Sequence, residues 1–192
     1  MFQIKIKFFQ LVAPFYEYLH LFKAEDFLNF VDKEKFFDDN DVVLDLAGGT
    51  GRIAVRLVDR VKNVVVVDVS EKMLEECKNK VGVKCHFGYA EKIPFSDKYF
   101  DKIIIVDALH HFQDLDSTLL ELQRVLKNNG QIIVEEVVPE SIFGKFLILA
   151  EKMLRMNSHF YSKNELKNIF DKYFETKIVK TNKASYLLVA KN

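Results

Sequence analysis

An acidic residue, Asp45, lies at the end of an apolar run and shortly before a glycine turn in the stretch VVLDLAGGTGRIA, residues 42–54. The turn contains Gly48, Gly49 and Gly51. Glycine permits a positive φ and lets the backbone approach a ligand closely. In open α/β sheets, ligands bind beyond the carboxyl ends of the strands, where this turn is expected to lie. The stretch therefore predicts a ligand-binding loop with a carboxylate beside it.

Two kinds of ligand are compatible with this loop. Gly49 to Ala54 satisfies the G-x-G-x-x-G/A pattern of dinucleotide sites, and Asp68, at the end of the next apolar run, can accept hydrogen bonds from ribose hydroxyls in either case. A dinucleotide would place its pyrophosphate at the loop, where Asp45 would repel it. S-adenosylmethionine has no phosphate and carries an ammonium and a sulfonium, which a carboxylate stabilises. We therefore predict S-adenosylmethionine as the cofactor, and an NAD(P)-dependent oxidoreductase remains the alternative.

A second polar group follows a later apolar run, in the stretch VDALHHF. It contains Asp107, His110 and His111, which are expected at the same sheet edge as the glycine loop. A phenol, enol or amine acceptor of a methyl group must lose a proton, and histidine, with a pKa of ~6.5, suits that role. We predict His110 as the general base and His111 as a second candidate; otherwise both are loop residues bonded to backbone or solvent. A zinc site built from Asp107, His110 and His111 would need a further ligand from another segment of the chain. The sequence shows no such ligand, so we predict no metal site.

Short β-branched runs alternate with helical periodicity from residue 42 onward. Near-continuous apolar runs such as NVVVVD and KIIIVD are typical of parallel strands that helices cover on both faces. A tight connection at 182–183 predicts that the last two strands are antiparallel. The predicted strands are Val42–Leu46, Asn63–Asp68, Val83–Gly88, Lys102–Val106, Gln131–Val137 and two near the C-terminus; the predicted helices are Gly51–Val61, Ser70–Val81 and Asp116–Lys127.

These elements predict an α/β fold with a single Rossmann-like doubly wound sheet. The sheet is expected to be mostly parallel, with an antiparallel C-terminal hairpin strand and helices on both faces. A chain of 192 residues has the size of one domain. We predict a single domain over residues 1–192, with an N-terminal helical cap (1–40), a cofactor-binding core (41–140), a helical lid (141–173) and a C-terminal hairpin (174–192).

Charge and composition narrow the class of partner. The 28 basic and 28 acidic residues cancel, so no net field attracts nucleic acid or an anionic membrane. The apolar stretches fall short of the ~20 residues of a membrane span, and Lys5 and Lys7 interrupt any secretory signal. Cys77 and Cys85 have no metal-ligand spacing and are expected to be reduced thiols. We predict a cytoplasmic protein with a small-molecule substrate; the oligomeric state is not determined by these features.

Several stretches, taken in order, resemble one enzyme family. LDLAGGTG resembles motif I of the class I S-adenosylmethionine-dependent methyltransferases, and its AGGTG spelling is similar to that of the ubiquinone/menaquinone biosynthesis methyltransferases. VVDVSEKML, GYAEKIPFSDKYFD, LLELQRVLKNNGQIIVEE and, near the N-terminus, FFQLVAPFYEYL resemble further segments of that family. The resemblance covers roughly residues 8 to 138.

The resemblance implies methyl transfer from S-adenosylmethionine to a small-molecule acceptor, O- or C-directed, with aromatic and quinone-like molecules among the candidates. A cofactor-binding protein without catalysis, acting as an interaction partner, is a further alternative. Asp68 is implied on the ribose, Met73 near the adenine and Tyr16 over the cofactor. Tyr89 departs from the family's Asp or Asn, and His110-His111 replaces an Arg-Asn pair of the quinone enzymes. The cofactor-binding set is Tyr16, Asp45, Ala47, Gly48, Gly49, Gly51, Asp68, Val69, Met73, Tyr89, Ala90, Glu91 and Asp107.

Overall fold

The apolar runs of the sequence form the strands of one sheet. The computed structural model describes residue 25 and residues 27–192, so Tyr16 and most of the predicted cap lie outside the described residues. Within them, seven strands are hydrogen-bonded in the order β3-β2-β1-β4-β5-β7-β6. The strands are β1 (Val42–Leu46), β2 (Asn63–Asp68), β3 (Val83–Phe87), β4 (Phe100–Val106), β5 (Leu126–Val137), β6 (Glu175–Thr181) and β7 (Ser185–Lys191).

The direction of the strands confirms the predicted fold class. β1 to β5 pair in parallel, whereas β7 pairs antiparallel with both β5 and β6. β1 is bordered by β2 on one side and β4 on the other, so the winding reverses between β1 and β4. A cleft for a ligand is expected at such a switch point, beyond the carboxyl ends of the strands.

Apolar residues cover both faces of the sheet. On one face, Leu44 of β1 belongs to a cluster with Ile103 of β4. On the other, Val43 belongs to a second cluster with Ile104. All four are fully buried. Successive strand residues point to opposite faces, so a run without polar residues fills both clusters. This two-sided burial holds the ends of β1 and β4 in place.

Four α-helices begin at polar residues that cap their first turn. They are α1 (Glu71–Lys78), α2 (Leu115–Val125), α3 (Ile142–Met153) and α4 (Lys163–Phe170). A side-chain oxygen of the preceding residue (Ser70, Asp114, Ser141 and Ser162) accepts a backbone N–H in each case, satisfying one of the donors left free at a helix start. A further helical segment spans residues 27–33.

The helix predicted over Gly51–Val61 is wrong in type. Only a 3₁₀ helix at Ala54–Leu57 forms there. Backbone bonds span three residues, from Arg56 N to Ile53 O and from Arg60 N to Leu57 O, at 2.9 Å each. The segment is rich in β-branched residues, which have low helix propensity, and its buried side chains anchor it to the sheet. The predicted end of α2 at Lys127 is also wrong, since β5 already begins at Leu126.

The expectation of two reduced thiols is wrong. Cys77 of α1 and Cys85 of β3 form a disulfide, with their Cα atoms 6.2 Å apart. α1 packs beside β3, so two positions eight residues apart in the chain meet across the helix–strand contact. The cytoplasmic location and the division into cap, core, lid and hairpin stay predictions.

Of the four α-helices described above, α3 is the most apolar, and it has 12 residues. A bilayer-spanning helix needs ~20. Among the described residues, no helix combines the length and the apolar character that crossing a membrane requires.

Candidate functional site

A cleft that is partly open to solvent lies at the carboxyl ends of β1, β2 and β4. It brings together most of the predicted cofactor residues. Gly51 and His110 do not line it, whereas His111 does. The predicted residues on its wall are Asp45, Ala47, Gly48, Gly49, Asp68, Val69, Met73, Tyr89, Ala90, Glu91, Asp107 and His111.

Asp68 holds the glycine loop in place. Its Oδ2 accepts the backbone N–H of Gly49 at 2.9 Å, and its Oδ1 accepts that of Ser70 at 2.8 Å. Gly49 has φ +56°, a left-handed conformation that glycine adopts without the steric cost of a Cβ. Burial raises the pKa of Asp68, and these backbone donors oppose that rise. A carboxylate can accept more than two hydrogen bonds, so Asp68 retains capacity for ribose hydroxyls.

Two non-glycine residues at the cleft adopt left-handed backbone conformations. Ala47 has φ 55° and Asp107 has φ 52°, and each follows the end of a strand. Their N–H groups donate across to the neighbouring strands, Ala47 to Val67 O at 2.7 Å and Asp107 to Glu135 O at 3.0 Å. A left-handed non-glycine residue costs ~1–3 kcal/mol and persists where neighbouring structure imposes it. Such strain is typical of ligand-binding edges.

Asp45 and Arg52 place opposite charges at the inner end of the cleft. Asp45 Oδ2 and Arg52 Nη1 are buried and have no hydrogen-bond partner among the described residues. Burial raises the pKa of Asp45 to about 7, with Asp68 raising it further and Arg52 lowering it. Arg52 Nη2 lies 4.0 Å from Asp107 Oδ2. An ammonium and a carboxylate of one ligand would match these two unpartnered atoms.

The sequence interpretation missed Arg52. It directly follows the glycine turn, at the start of the predicted helix, and that position was the available signal. The carboxyl group of Asp45 also lies against the loop, because a Cβ added at Gly48 would come within 2.5 Å of Asp45 Cγ. The glycine at position 48 therefore makes room for the acid.

His110 is buried between two glutamates. Its Nδ1 lies 2.7 Å from Glu136 Oε2, and its Nε2 lies 3.6 Å from Glu151 Oε1. Burial alone would lower its pKa, but the two carboxylates raise the pKa of His110 to about 10. The ring also stacks on Phe160, with centroids 4.5 Å apart. The two carboxylates thus favour the protonated imidazole, and His110 does not line the cleft.

His111 occupies the cleft wall instead. Its side chain is 17% exposed, and its Nδ1 lies 3.0 Å from Ser158 Oγ and 3.9 Å from Glu151 Oε2. The catalytic assignment of either histidine stays a prediction. Glu136 of β5 and Glu151 of α3 were not singled out from the sequence. The signal for Glu136 was a pair of acids inside the apolar stretch QIIVEEVV; Glu151 had no comparable signal.

Comparison with known proteins shows which families and structures this chain is similar to. Residues 44–134 match the family model described as a methyltransferase domain. The ubiquinone/menaquinone biosynthesis C-methyltransferase UbiE of Xanthomonas campestris pathovar campestris is 43% identical over 106 residues, covering 50% of this chain and 42% of that protein. The chain therefore spans less than half the length of this relative.

Two solved structures share this fold. A Thermotoga maritima protein described as a SAM-dependent methyltransferase and possible histamine N-methyltransferase is 25% identical, with a TM-score of 0.77 and coverage of 100% of this chain and 99% of that chain. DhpI, solved in a complex with SAH, has the same TM-score of 0.77 at 13% identity, covering 100% of this chain and 96% of its own. The second likeness shows the fold alone.

Proposed function

We propose that this protein transfers the methyl group of S-adenosylmethionine to a small molecule. The match of residues 44–134 to a methyltransferase domain model and the likeness to a SAM-dependent methyltransferase structure support this proposal. The observation that carries the proposal is the pair of unpartnered charged atoms, on Asp45 and Arg52, at the inner end of the cleft. They suit the ammonium and carboxylate of an amino-acid ligand, which S-adenosylmethionine has and a dinucleotide lacks.

The residues of the chain fit this cofactor along the cleft. Asp68 would accept the ribose hydroxyls while still holding Gly49. Met73 and Tyr89 lie on the cleft wall beyond it and would contact the adenine ring. When bound, S-adenosylmethionine supplies a methyl group on a sulfonium; the bond to sulfur breaks, its electron pair stays on sulfur, and a new bond forms to the acceptor. The chain orients the two partners and excludes water.

We assign the acceptor end of the cleft to His111. This side chain lies on the wall next to Phe112 and Gln113. An imidazole beside an aromatic ring suits a phenolic or quinol-type acceptor that must lose a proton before methylation. The similarity to a ubiquinone/menaquinone C-methyltransferase supports an acceptor of this class. His110 acts through its neighbours as a positioning residue.

The oxidoreductase alternative is not favoured. Its pyrophosphate would lie against Asp45, whose carboxyl is buried beside the glycine loop. A measurement of turnover distinguishes an enzyme from a protein that binds the cofactor without catalysis. We would test a panel of a quinol, a simple phenol and histamine, the last because of the Thermotoga neighbour's description. Tight cofactor binding with no turnover on any acceptor class would favour the non-catalytic alternative.

Asp68→Ala should weaken S-adenosylhomocysteine binding about ten- to hundredfold. The variant removes a charged acceptor of ribose hydroxyls, worth ~1.5–3 kcal/mol, and releases the N–H of Gly49. Isothermal titration calorimetry measures the dissociation constants, with circular dichroism as the check on folding. Asp59→Ala, at an exposed position away from the cleft, is the matched control and should bind like the wild type. Equal affinity of the wild type and Asp68→Ala would show that the ribose lies elsewhere, and no binding by folded wild type would refute the proposed function.

A further inference from the structure

Four ionisable side chains from three elements meet behind the acceptor end of the cleft. His110 and His111 belong to the 3₁₀ helix Leu109–His111, Glu136 to β5 and Glu151 to α3. His110 Nε2 lies 3.6 Å from Glu151 Oε1, and His111 Nδ1 lies 3.9 Å from Glu151 Oε2. One potential ligand atom from each of His110, His111 and Glu151 lies within 4.8 Å of the other two.

Glu151 supplies a second, independent observation that points to a ligand at this cluster. The residue is 7% exposed, and its Oε2 has no hydrogen-bond partner within the described part of the chain. That oxygen points towards His111, at the edge of the cleft. A buried carboxylate oxygen without a donor is costly unless a cation or a hydrogen bond satisfies it. The Ser158 hydroxyl lies 3.0 Å from His111 Nδ1, so an ion that binds this nitrogen must replace that hydrogen bond.

The charges of the cluster favour a divalent cation. Glu136 and Glu151 bring two negative charges into a buried region, with His110 between them. A divalent cation on Glu151, with His110 neutral and its Nδ1–H donated to Glu136, balances both. Buried carboxylates are usually paired with a positively charged group or bound to a metal ion.

We propose that His110 Nε2, His111 Nδ1 and the carboxylate of Glu151 bind a divalent transition-metal ion of the zinc type. Metal–ligand bonds of ~2.0–2.2 Å put tetrahedral donors about 3.4 Å apart. His110 Nε2 lies 3.6 Å from Oε1 of Glu151 and His111 Nδ1 lies 3.9 Å from Oε2, so each nitrogen is near this distance from one oxygen of the carboxylate. Three protein ligands with one position left for another oxygen are typical of catalytic zinc sites.

Glu136 completes the site from behind. It accepts from the Nδ1 side of His110 at 2.7 Å and from the N–H of Leu109 at 2.7 Å, so both ends of its carboxylate are engaged. A carboxylate behind a metal-bound histidine fixes the tautomer and the orientation of the ring. The sequence predicted no metal because a third segment was lacking; α3 supplies that segment through Glu151.

The open position would face the acceptor end of the cleft, since His111 lines its wall. There the cation would hold a hydroxyl or carbonyl oxygen of the acceptor and favour its ionised form. This role rests on the proposed function. Binding of the cation itself does not, and it is measured without cofactor or acceptor.

The experiment titrates the chelator-treated full chain with Zn²⁺ by calorimetry, and with Co²⁺ by its visible absorption. We expect one equivalent to bind. Glu136→Gln should weaken binding about 10–100-fold, as loss of a carboxylate behind a ligand does, and Glu151→Gln at least as much. Glu165→Gln is the matched control: this exposed glutamate lies 3.4 Å from the exposed His159, so it tests a histidine–glutamate pair outside the cluster. It should bind like the wild type.

Three outcomes would overturn the proposal. The first is that the wild type takes up no equivalent of either ion. The second is that the wild type and Glu151→Gln bind with equal affinity when circular dichroism shows both folded. An equal loss in Glu165→Gln would place the ion on the surface and overturn it as well. If Glu151→Gln fails to fold, His111→Asn, at the partly exposed cleft wall, serves instead with the same expected loss. Titration with S-adenosylhomocysteine is run separately, so failure of cofactor binding and failure of metal binding remain distinct results.

Discussion

His111→Ala should lower kcat by ~10²–10⁴, the range expected when a group that assists deprotonation is lost. The reason is the same whether His111 takes the proton itself or holds the cation proposed above: the acceptor oxygen loses the group that stabilises its anion. The affinity for S-adenosylhomocysteine should stay that of the wild type, because none of the contacts assigned to the cofactor involves His111. Steady-state kinetics with the acceptor that the panel identifies, together with calorimetry, measure both quantities.

The two neighbouring histidines should behave differently. His110→Ala removes the imidazole that pairs with the buried carboxylates of Glu136 and Glu151. Loss of one partner of such a buried pair costs ~3–5 kcal/mol of folding stability. Its melting temperature should fall, whereas that of His111→Ala should change little. His86→Ala, at an exposed position on the edge strand β3, is the control and should keep full turnover. Full turnover in folded His111→Ala with an ionisable acceptor would refute the assignment of the acceptor end.

Asp45→Asn should stabilise the cofactor-free protein at pH 8 and weaken its affinity for the cofactor. Burial raises the pKa of Asp45 from 3.8 to about 7, and each pKa unit corresponds to ~1.4 kcal/mol, so ionisation costs the folded state at most about 4 kcal/mol. The amide of the variant remains a buried polar group, and we expect a gain of about 1–2 kcal/mol in the free energy of unfolding. Urea unfolding of both proteins measures it.

The gain should depend on pH. Because the pKa of Asp45 is higher in the folded chain, the folded state binds this proton more tightly than the unfolded state does. Its contribution to stability is complete below pH 3.8 and is lost as the pH rises through about 7. The advantage of Asp45→Asn should therefore be largest above pH 7 and disappear towards pH 4. Other titrating groups are common to both proteins and cancel in the difference. A constant difference between pH 5 and pH 8 would contradict an ionising Asp45.

Cofactor affinity should change in the opposite direction. A carboxylate at position 45 would pair with the ammonium of the cofactor, and a hydrogen bond between charged groups is worth ~1.5–3 kcal/mol. Calorimetry at pH 8 should show about ten- to hundredfold weaker binding of S-adenosylhomocysteine by Asp45→Asn. In the wild type, affinity should fall as the pH drops below 7, since Asp45 becomes protonated. Asp59→Asn, at an exposed acid that is not on the cleft wall, is the control for the loss of one charge and should bind like the wild type.

The sequence determined the sheet and the loop because both depend on neighbours in the chain. β1 and β2 have the bounds that the apolar runs predicted, and the connection at 182–183 did produce an antiparallel pair. Gly49 and Asp68 come together because parallel strands end at the same edge, which is a property of the fold class. Local patterns and the family resemblance together predicted twelve of the residues on the cleft wall.

Only the tertiary structure decided which histidine faces the cleft. His110 and His111 are adjacent and of one type, so the sequence cannot distinguish them. In the structure His110 lies against Glu136, whereas His111 lines the cleft. The disulfide of Cys77 and Cys85 and the position of Glu151 beside both histidines likewise depend on how helices pack on the sheet. Burial then shifts the pKa of Asp45 and His110 in ways that depend on three-dimensional neighbours. Periodicity along a chain records which side of an element is apolar, but the partner it meets is set by packing between distant segments.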